Sequence, residues 1–100
     1  MKPSSVIKGN AETREVTIDD IPLSPKESQE VLNHSPDGFS WGYGGSGPAQ
    51  LALALLMEIT DDKQANGYHL EFKWDIIAPL DMTSDFTMNA QTIYDWWYLR

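Results

Sequence analysis

From Ala49 to Met57 the chain is apolar at every position except Gln50. A helix with that pattern is buried on several sides rather than along one stripe. Pro48 suits a first helical turn, and Ser46 and Gly47 just before it suit a helix start. The pattern therefore predicts a helix from about Pro48 to Ile59, with Ser46 as its cap. Leu51, Leu55 and Ile59 share a stripe, while Ala49 and Ala52 leave a thin side on which a sheet can come close. Burial of each leucine is worth about 1.5–3 kcal/mol before entropy is charged against it.

Shorter patterns surround this segment. Val6-Ile7 reads as a short strand, and Glu15 to Asp19 alternates polar and apolar with β-branched residues, as a half-buried strand does. Gly9-Asn10 suits a turn between them. Pro22 and Pro25 then break regular structure, and Lys26 to Leu32 is polar enough for a loop or a short helical turn. Ser35-Pro36-Asp37-Gly38 is a turn signal. Phe39, Trp41 and Tyr43 alternate after it and predict a strand. Tyr68 to Trp74 fits two periods, since its aromatics alternate as in a strand while Ala65, Tyr68, Phe72 and Ile76 keep helical spacing. Asp61 or Asp62 would cap the helical version. Asp85 to Met88 reads as a short extended piece, and Asn89 caps a last helix from Ala90 to Leu99.

These elements predict one α+β domain over residues 1–100, with residues 1–5 as a flexible tail. Its sheet is small and mostly antiparallel, with three to four short strands, packed by the buried central helix and two further helices. The longest unbroken apolar run, Leu51 to Met57, is far short of the ~20 residues a membrane helix needs. Nor does an apolar stretch follow Met1-Lys2 as in a secretory signal. The expected location is the cytoplasm.

Charge changes the picture more than composition does. Seven basic and fifteen acidic residues leave a net charge of −8. Such a chain lacks the basic footprint that displaces counterions from nucleic acid, and it is repelled by anionic lipid. Without cysteine there is no disulfide, thiolate metal site or cysteine nucleophile.

Five groups of residues merit a chemical reading. Gly44, Gly45, Ser46 and Gly47, ahead of a helix, resemble an anion cradle, but their spacing matches neither the dinucleotide fingerprint nor the P-loop. The simpler reading is a tight turn whose glycines take positive φ. Gly44-x-Ser46 begins a nucleophile elbow, yet Pro48 stands where the closing glycine belongs. His34 and His69 are far apart in sequence and have no carboxylate at ligand spacing, so they predict no metal site. Asp19-Asp20 and Asp61-Asp62 are adjacent pairs that cannot share a face, which makes them poor acid/base partners. Finally, one helix face cannot bury all of Tyr94, Trp96, Trp97 and Tyr98, so at least one should be exposed, as binding aromatics are.

The block from Ser35 to Leu56, containing Trp41-Gly42-Tyr43-Gly44-Gly45-Ser46-Gly47-Pro48, resembles an uncharacterised family of small proteins found in phages, plasmids and other mobile elements. Phe72 to Ala78 and the closing Ile93, Trp96 and Trp97 are similar to later segments of that family, so the resemblance spans roughly residues 6–99. It implies a helix over about Asp62 to Ala78 and supplies no catalytic residue. It also implies an accessory protein that acts on host machinery.

The expected function is accordingly non-enzymatic. A small acidic interaction protein would bind and inhibit or modulate a host protein, plausibly a CRISPR-type defence complex or another partner with a basic nucleic-acid-binding surface. Asp19, Asp20, Tyr94, Trp96 and Tyr98 are the candidate contacts. An alternative is an anionic-ligand or nucleotide module at Gly44–Gly47, and a poorer one is a hydrolase using Ser46. No cofactor, metal, membrane or direct nucleic-acid partner is expected.

Overall fold

A computed structural model describes residues Met1–Arg100. Strand β1 (Val6–Gly9) lies between β2 (Val16–Ile18) and β4 (Phe86–Asn89), with β3 (Ile21–Pro22) on the far side of β2. All three pairings are antiparallel. The register sets Ile7 opposite Met88 and Gly9 opposite Phe86, so alternate residues of both strands face the core. Gly9 must lack a side chain, because a Cβ there would collide with the rings of Phe86 and Trp41.

Two turns in the sheet differ from the sequence reading. The β1–β2 link spans residues 10–15, in which the Asn10 side chain accepts from the Glu12 and Thr13 N–H groups and Arg14 takes φ +63°. It is not a two-residue turn at Gly9-Asn10. The tight turn is instead Asp19-Asp20, both at positive φ, between the paired Ile18 and Ile21. That is the type I′ geometry matching the twist of a hairpin, and short Asp side chains tolerate it.

Four helices complete the fold: α1 (Lys26–Val31), α2 (Ser46–Met57), α3 (Asp62–Phe72) and α4 (Ala90–Leu99). Every residue of α2 from Gly47 to Leu56 is buried, as its pattern required. The helix packs against α1, α3 and the segment following α3, and its leucines join Ile7, Val16, Phe86 and Met88 in one core. No helix is long and apolar enough to cross a membrane.

The start of α2 corrects the expected boundary. The helix begins at Ser46, and Ser46 does not cap it; Gly45 holds the cap position with no side-chain bond. A Cβ at Gly45 would strike the Tyr43 ring, so no capping side chain fits. Pro48 falls within the first turn, where its missing N–H costs nothing. Residues 39–43 form no strand. Phe39 and Trp41 do turn inward together, but Gly42 at φ +87° bends the chain. The Gly42 N–H then bonds to the Ile77 carbonyl (3.1 Å) rather than to a sheet.

Helical spacing prevails over alternation in residues 62–72. Asp61 caps α3 by accepting from the Gln64 N–H at 2.8 Å. After Phe72 the helix widens into a π segment, Lys73–Ile77, in which the Ala78 N–H reaches back five residues to the Lys73 carbonyl at 2.8 Å. Residues 1–5, expected as a loose tail, are tied down. Ser5 is buried and its carbonyl accepts from the Ala90 N–H, while the Met1 carbonyl accepts from the Tyr94 hydroxyl.

Candidate functional site

The turn before α2 lies where the core meets the surface, so its geometry decides what the glycines are for. Neither Gly44 nor Gly45 has positive φ. Each is bare because an aromatic ring lies over it: a Cβ on Gly44 would collide with Trp74, and one on Gly45 with Tyr43. Gly47 is pressed against Ser40 in the same way. Rings therefore occupy the space above the first two glycines. Beside them an open depression of about 630 Å³ is lined by Arg14, Ser35, Asp37, Ser40, Tyr43 and Ser46, among others. The Arg14 guanidinium lies over the Trp41 ring (4.5 Å) with Nη2 bonded to the Met82 carbonyl (2.6 Å), while its buried Nη1 has no hydrogen-bond partner.

Behind the turn the structure assembles a polar cluster that the sequence reading missed. Gln50 is fully buried in α2. Its Oε1 accepts from the N–H groups of His34 (2.8 Å) and Ser35 (3.0 Å). Its Nε2 donates to Ser28 Oγ (2.8 Å) and the Leu32 carbonyl (3.2 Å). All four hydrogen-bonding positions of the amide are used. Gln50 thus fastens α1 and the loop after it to α2, and in doing so places His34.

His34 Nε2 lies 2.8 Å from His69 Nε2. His69 Nδ1 is 2.7 Å from the Asn66 carbonyl, which can only accept, so Nδ1 carries the proton. In the neutral ring Nε2 is then the acceptor, and His34 donates to it. Burial is the main cause that lowers both histidines below their ordinary pKa, with the positive charge of Lys73 adding to it. Two nitrogens on one tetrahedral zinc ion, at about 2.0–2.1 Å each, would stand about 3.3 Å apart. The observed separation is that of a hydrogen bond, and no third His, Cys, Asp or Glu joins the pair. The only signal for this cluster was one amide in an otherwise greasy helix.

Lys73 is 7% exposed. Its Nζ sits 4.4 Å from the centre of the Trp74 ring and 3.4 Å from the Gly44 carbonyl. Trp74 is thereby held between a buried cation and a bare backbone, yet 59% of it faces water.

The other anticipated contact residues are scattered. Asp19 serves the turn: its carboxylate accepts from the Val6 N–H (3.0 Å), and that bond, with a further one from Ser5, holds its pKa below the ordinary value. Asp20 is exposed and lies 3.7 Å from Lys8. Trp96 is half-buried, edge-on to Phe72, with its indole N–H on Asp75 (2.8 Å). Tyr94 stacks on Tyr98 and is anchored to Met1. Of the three, Tyr98 alone is mostly exposed. Ser46 is exposed, while the two histidines bond to each other rather than to it.

A family model covers residues 7–99. The chain belongs to DUF6166, a family of unknown function. The match takes in all of the fold from the second residue of β1 to the end of α4, so the polar cluster and the glycine turn both lie within the family's domain. No curated protein and no solved structure matches the chain.

Proposed function

We propose that this member of the family is a non-enzymatic, acidic interaction protein that binds and modulates a protein with a basic surface, of the kind that otherwise holds nucleic acid. The observation that carries this reading is the disposition of its cations. Of seven basic residues, Arg14, Lys73 and Arg100 lie over aromatic rings. Across fifteen carboxylates there is one ion pair, between Lys8 and Asp20. Three cations are held against tryptophan and tyrosine and one is paired, which leaves Lys2, Lys26 and Lys63 against the remaining fourteen carboxylates. A field of that sign speeds encounter with a basic face and competes with phosphate for it. A host defence complex is one partner of this type.

The test is affinity capture from host lysate at low and at high salt, with the captured proteins then assayed for DNA binding. The expected partner is basic, is released as salt rises through the range that screens charge, and loses DNA when the protein is added. Capture that ignores salt, or a partner whose DNA binding is unaffected, would refute the reading. Charge reversal at Asp19 is a poor probe, because that carboxylate also holds the β2–β3 turn.

A further inference from the structure

We infer that β4 is an open edge through which the protein pairs with a second copy of itself, antiparallel and centred on Thr87. The hydrogen-bond pattern carries the first step. The Asp19 N–H bonds to the Val6 carbonyl and the Asn10 N–H to the Glu15 carbonyl, so even-numbered residues of β1 turn their main-chain groups toward β2. Ile7 and Gly9 turn theirs toward Met88 and Phe86, in phase with the Ala90 N–H on the Ser5 carbonyl (2.8 Å). Thr87 and Asn89 therefore point their main-chain groups away from β1. No further strand pairs with β4, neither N–H has a partner, and both residues are exposed.

The two edges of the sheet are built differently. At the other edge β3 is only Ile21–Pro22. The Leu23 N–H bonds back to the Val16 carbonyl (2.8 Å), so the residue before it, Pro22, stands where an N–H would face outward. Shortness and proline are how proteins blunt an edge. Phe86-Thr87-Met88-Asn89 has neither proline nor charge. An edge left unguarded is a template for another strand.

Side chains select the occupant. With Thr87 opposite itself across a two-fold axis, Asp85 falls opposite Asn89 and Phe86 opposite Met88. Asn89 caps α4 through Oδ1, 2.9 Å from the Gln91 nitrogen, which leaves its Nδ2 free to donate. Asp85 accepts the Ala11 N–H at Oδ1 (2.6 Å), which leaves its Oδ2 free to accept. The antiparallel register sets each free donor against a free acceptor, twice by symmetry. Thr87 meets Thr87, a favourable cross-strand pair, and no like charges stand opposite each other. The main chain adds two bonds exchanged between the Thr87 residues and one from each Asn89 N–H to the Asp85 carbonyl of the other copy. An unrelated strand could meet the main-chain groups, but nothing would give it this donor and acceptor in this order.

The test is sedimentation equilibrium of the full chain at concentrations up to about 1 mM, since so short an edge buries less than the about 1,200 Å² of a standard interface and gives a reversible dimer. Each copy carries −8, so the dimer should tighten about threefold or more as salt rises from about 0.05 to 0.5 M. Asn89→Asp keeps an acceptor for the α4 cap but sets carboxylates opposite each other, and should weaken the dimer about tenfold or more. Adding Asp85→Asn exchanges donor for acceptor at the wild-type net charge and should restore the affinity. Thr87→Pro removes an outward N–H that β1 does not use; it should keep the circular dichroism of the wild type and sediment as a monomer. A wild-type monomer throughout the range, a dimer untouched by Asn89→Asp, or a loss that Asp85→Asn does not repair would each overturn the pairing. The proposal does not rest on the acidic-module reading, whose partner is released by salt, whereas this contact is strengthened by it.

Discussion

Gln50→Leu removes the buried amide that joins α1 and the 32–35 loop to α2, and its cost can be worked from the geometry. Four hydrogen bonds are lost. Three leave partners with some compensation: the His34 N–H also points at the Leu32 carbonyl (3.2 Å), the Ser28 hydroxyl keeps its bond to the Pro25 carbonyl (2.8 Å), and the Leu32 carbonyl retains other lone pairs. The Ser35 N–H is orphaned. At about 1 kcal/mol net for an ordinary bond and about 1–3 for a donor left unmet, with partial compensation, the loss is about 3–4 kcal/mol. A domain of this size has about 5–15 kcal/mol in total, and about 1 kcal/mol moves its Tm by 4–8 °C. Urea titration followed by circular dichroism, with a thermal scan beside it, should therefore show a Tm lower by about 15 °C or more. Gln50→Glu supplies a second arm. It keeps both acceptor contacts but sets a carboxylate against the Ser28 oxygen and the Leu32 carbonyl. Its carboxyl pKa is raised in the folded state, so its deficit against wild type should shrink as pH falls toward the ordinary carboxylate value. If Gln50→Leu melts within about 5 °C of wild type, the amide is not the fastener argued here.

Other outcomes follow from the same geometry. His34 and His69 both have pKa values lowered from 6.5, so the folded state binds fewer protons than the unfolded one. Stability should be full above pH 6.5 and fall as pH drops below it; urea midpoints at pH 7.5, 6.5 and 5.5 should show this, and His34→Gln with His69→Gln should flatten the slope. Asp19 and Asp81, lowered from 3.8 by hydrogen bonds, add a separate loss only below that value. Gly67→Ala should raise stability by about 1 kcal/mol, since glycine has no steric reason to stand there; a lower Tm would show a hidden contact. Asp20→Gly should raise stability by up to about 1 kcal/mol, because the second position of a type I′ turn favours glycine and the exposed pair with Lys8 is weak. Gly44→Ala should displace the Trp74 ring, which a shift in the indole N–H resonance of Trp74 would report.

Local chemistry carried much of the fold in plain sight. The apolar run of α2, the Asn89 cap and the alternation in β2 each depend on neighbours a few residues away and each appears where the pattern put it, and of the two acids offered as the α3 cap Asp61 takes the role. What the pattern misplaced depended on distant partners. Residues 39–43 alternate like a strand, but Gly42 bonds across to Ile77 and Trp41 to the Ser84 carbonyl, which no local period encodes. Gly44 and Gly45 look like a flexible cradle until Trp74 and Tyr43 are seen lying on them. The His34–His69 pair joins residues 35 apart and leaves no trace in spacing. Of the candidate contacts, Tyr98 was legible as a surplus aromatic, while the turn role of Asp19 was not, since it needed the Ile18–Ile21 register.

Gly44 stands in the turn before α2 and Gly67 inside α3, and the fold explains only the first of them. Replacing either with alanine should lower backbone entropy in the unfolded chain. At Gly44 a side chain would displace the tryptophan that Lys73 supports, so the fold itself explains the glycine. At Gly67 a side chain meets nothing and only the cost of helical glycine remains. Helix α3, whose start Asp61 caps, bears that cost where it faces water beside Leu70. Unexplained departures from local preference are expected at functional sites. Nothing within the fold offsets that cost, so the glycine at position 67 has no structural explanation.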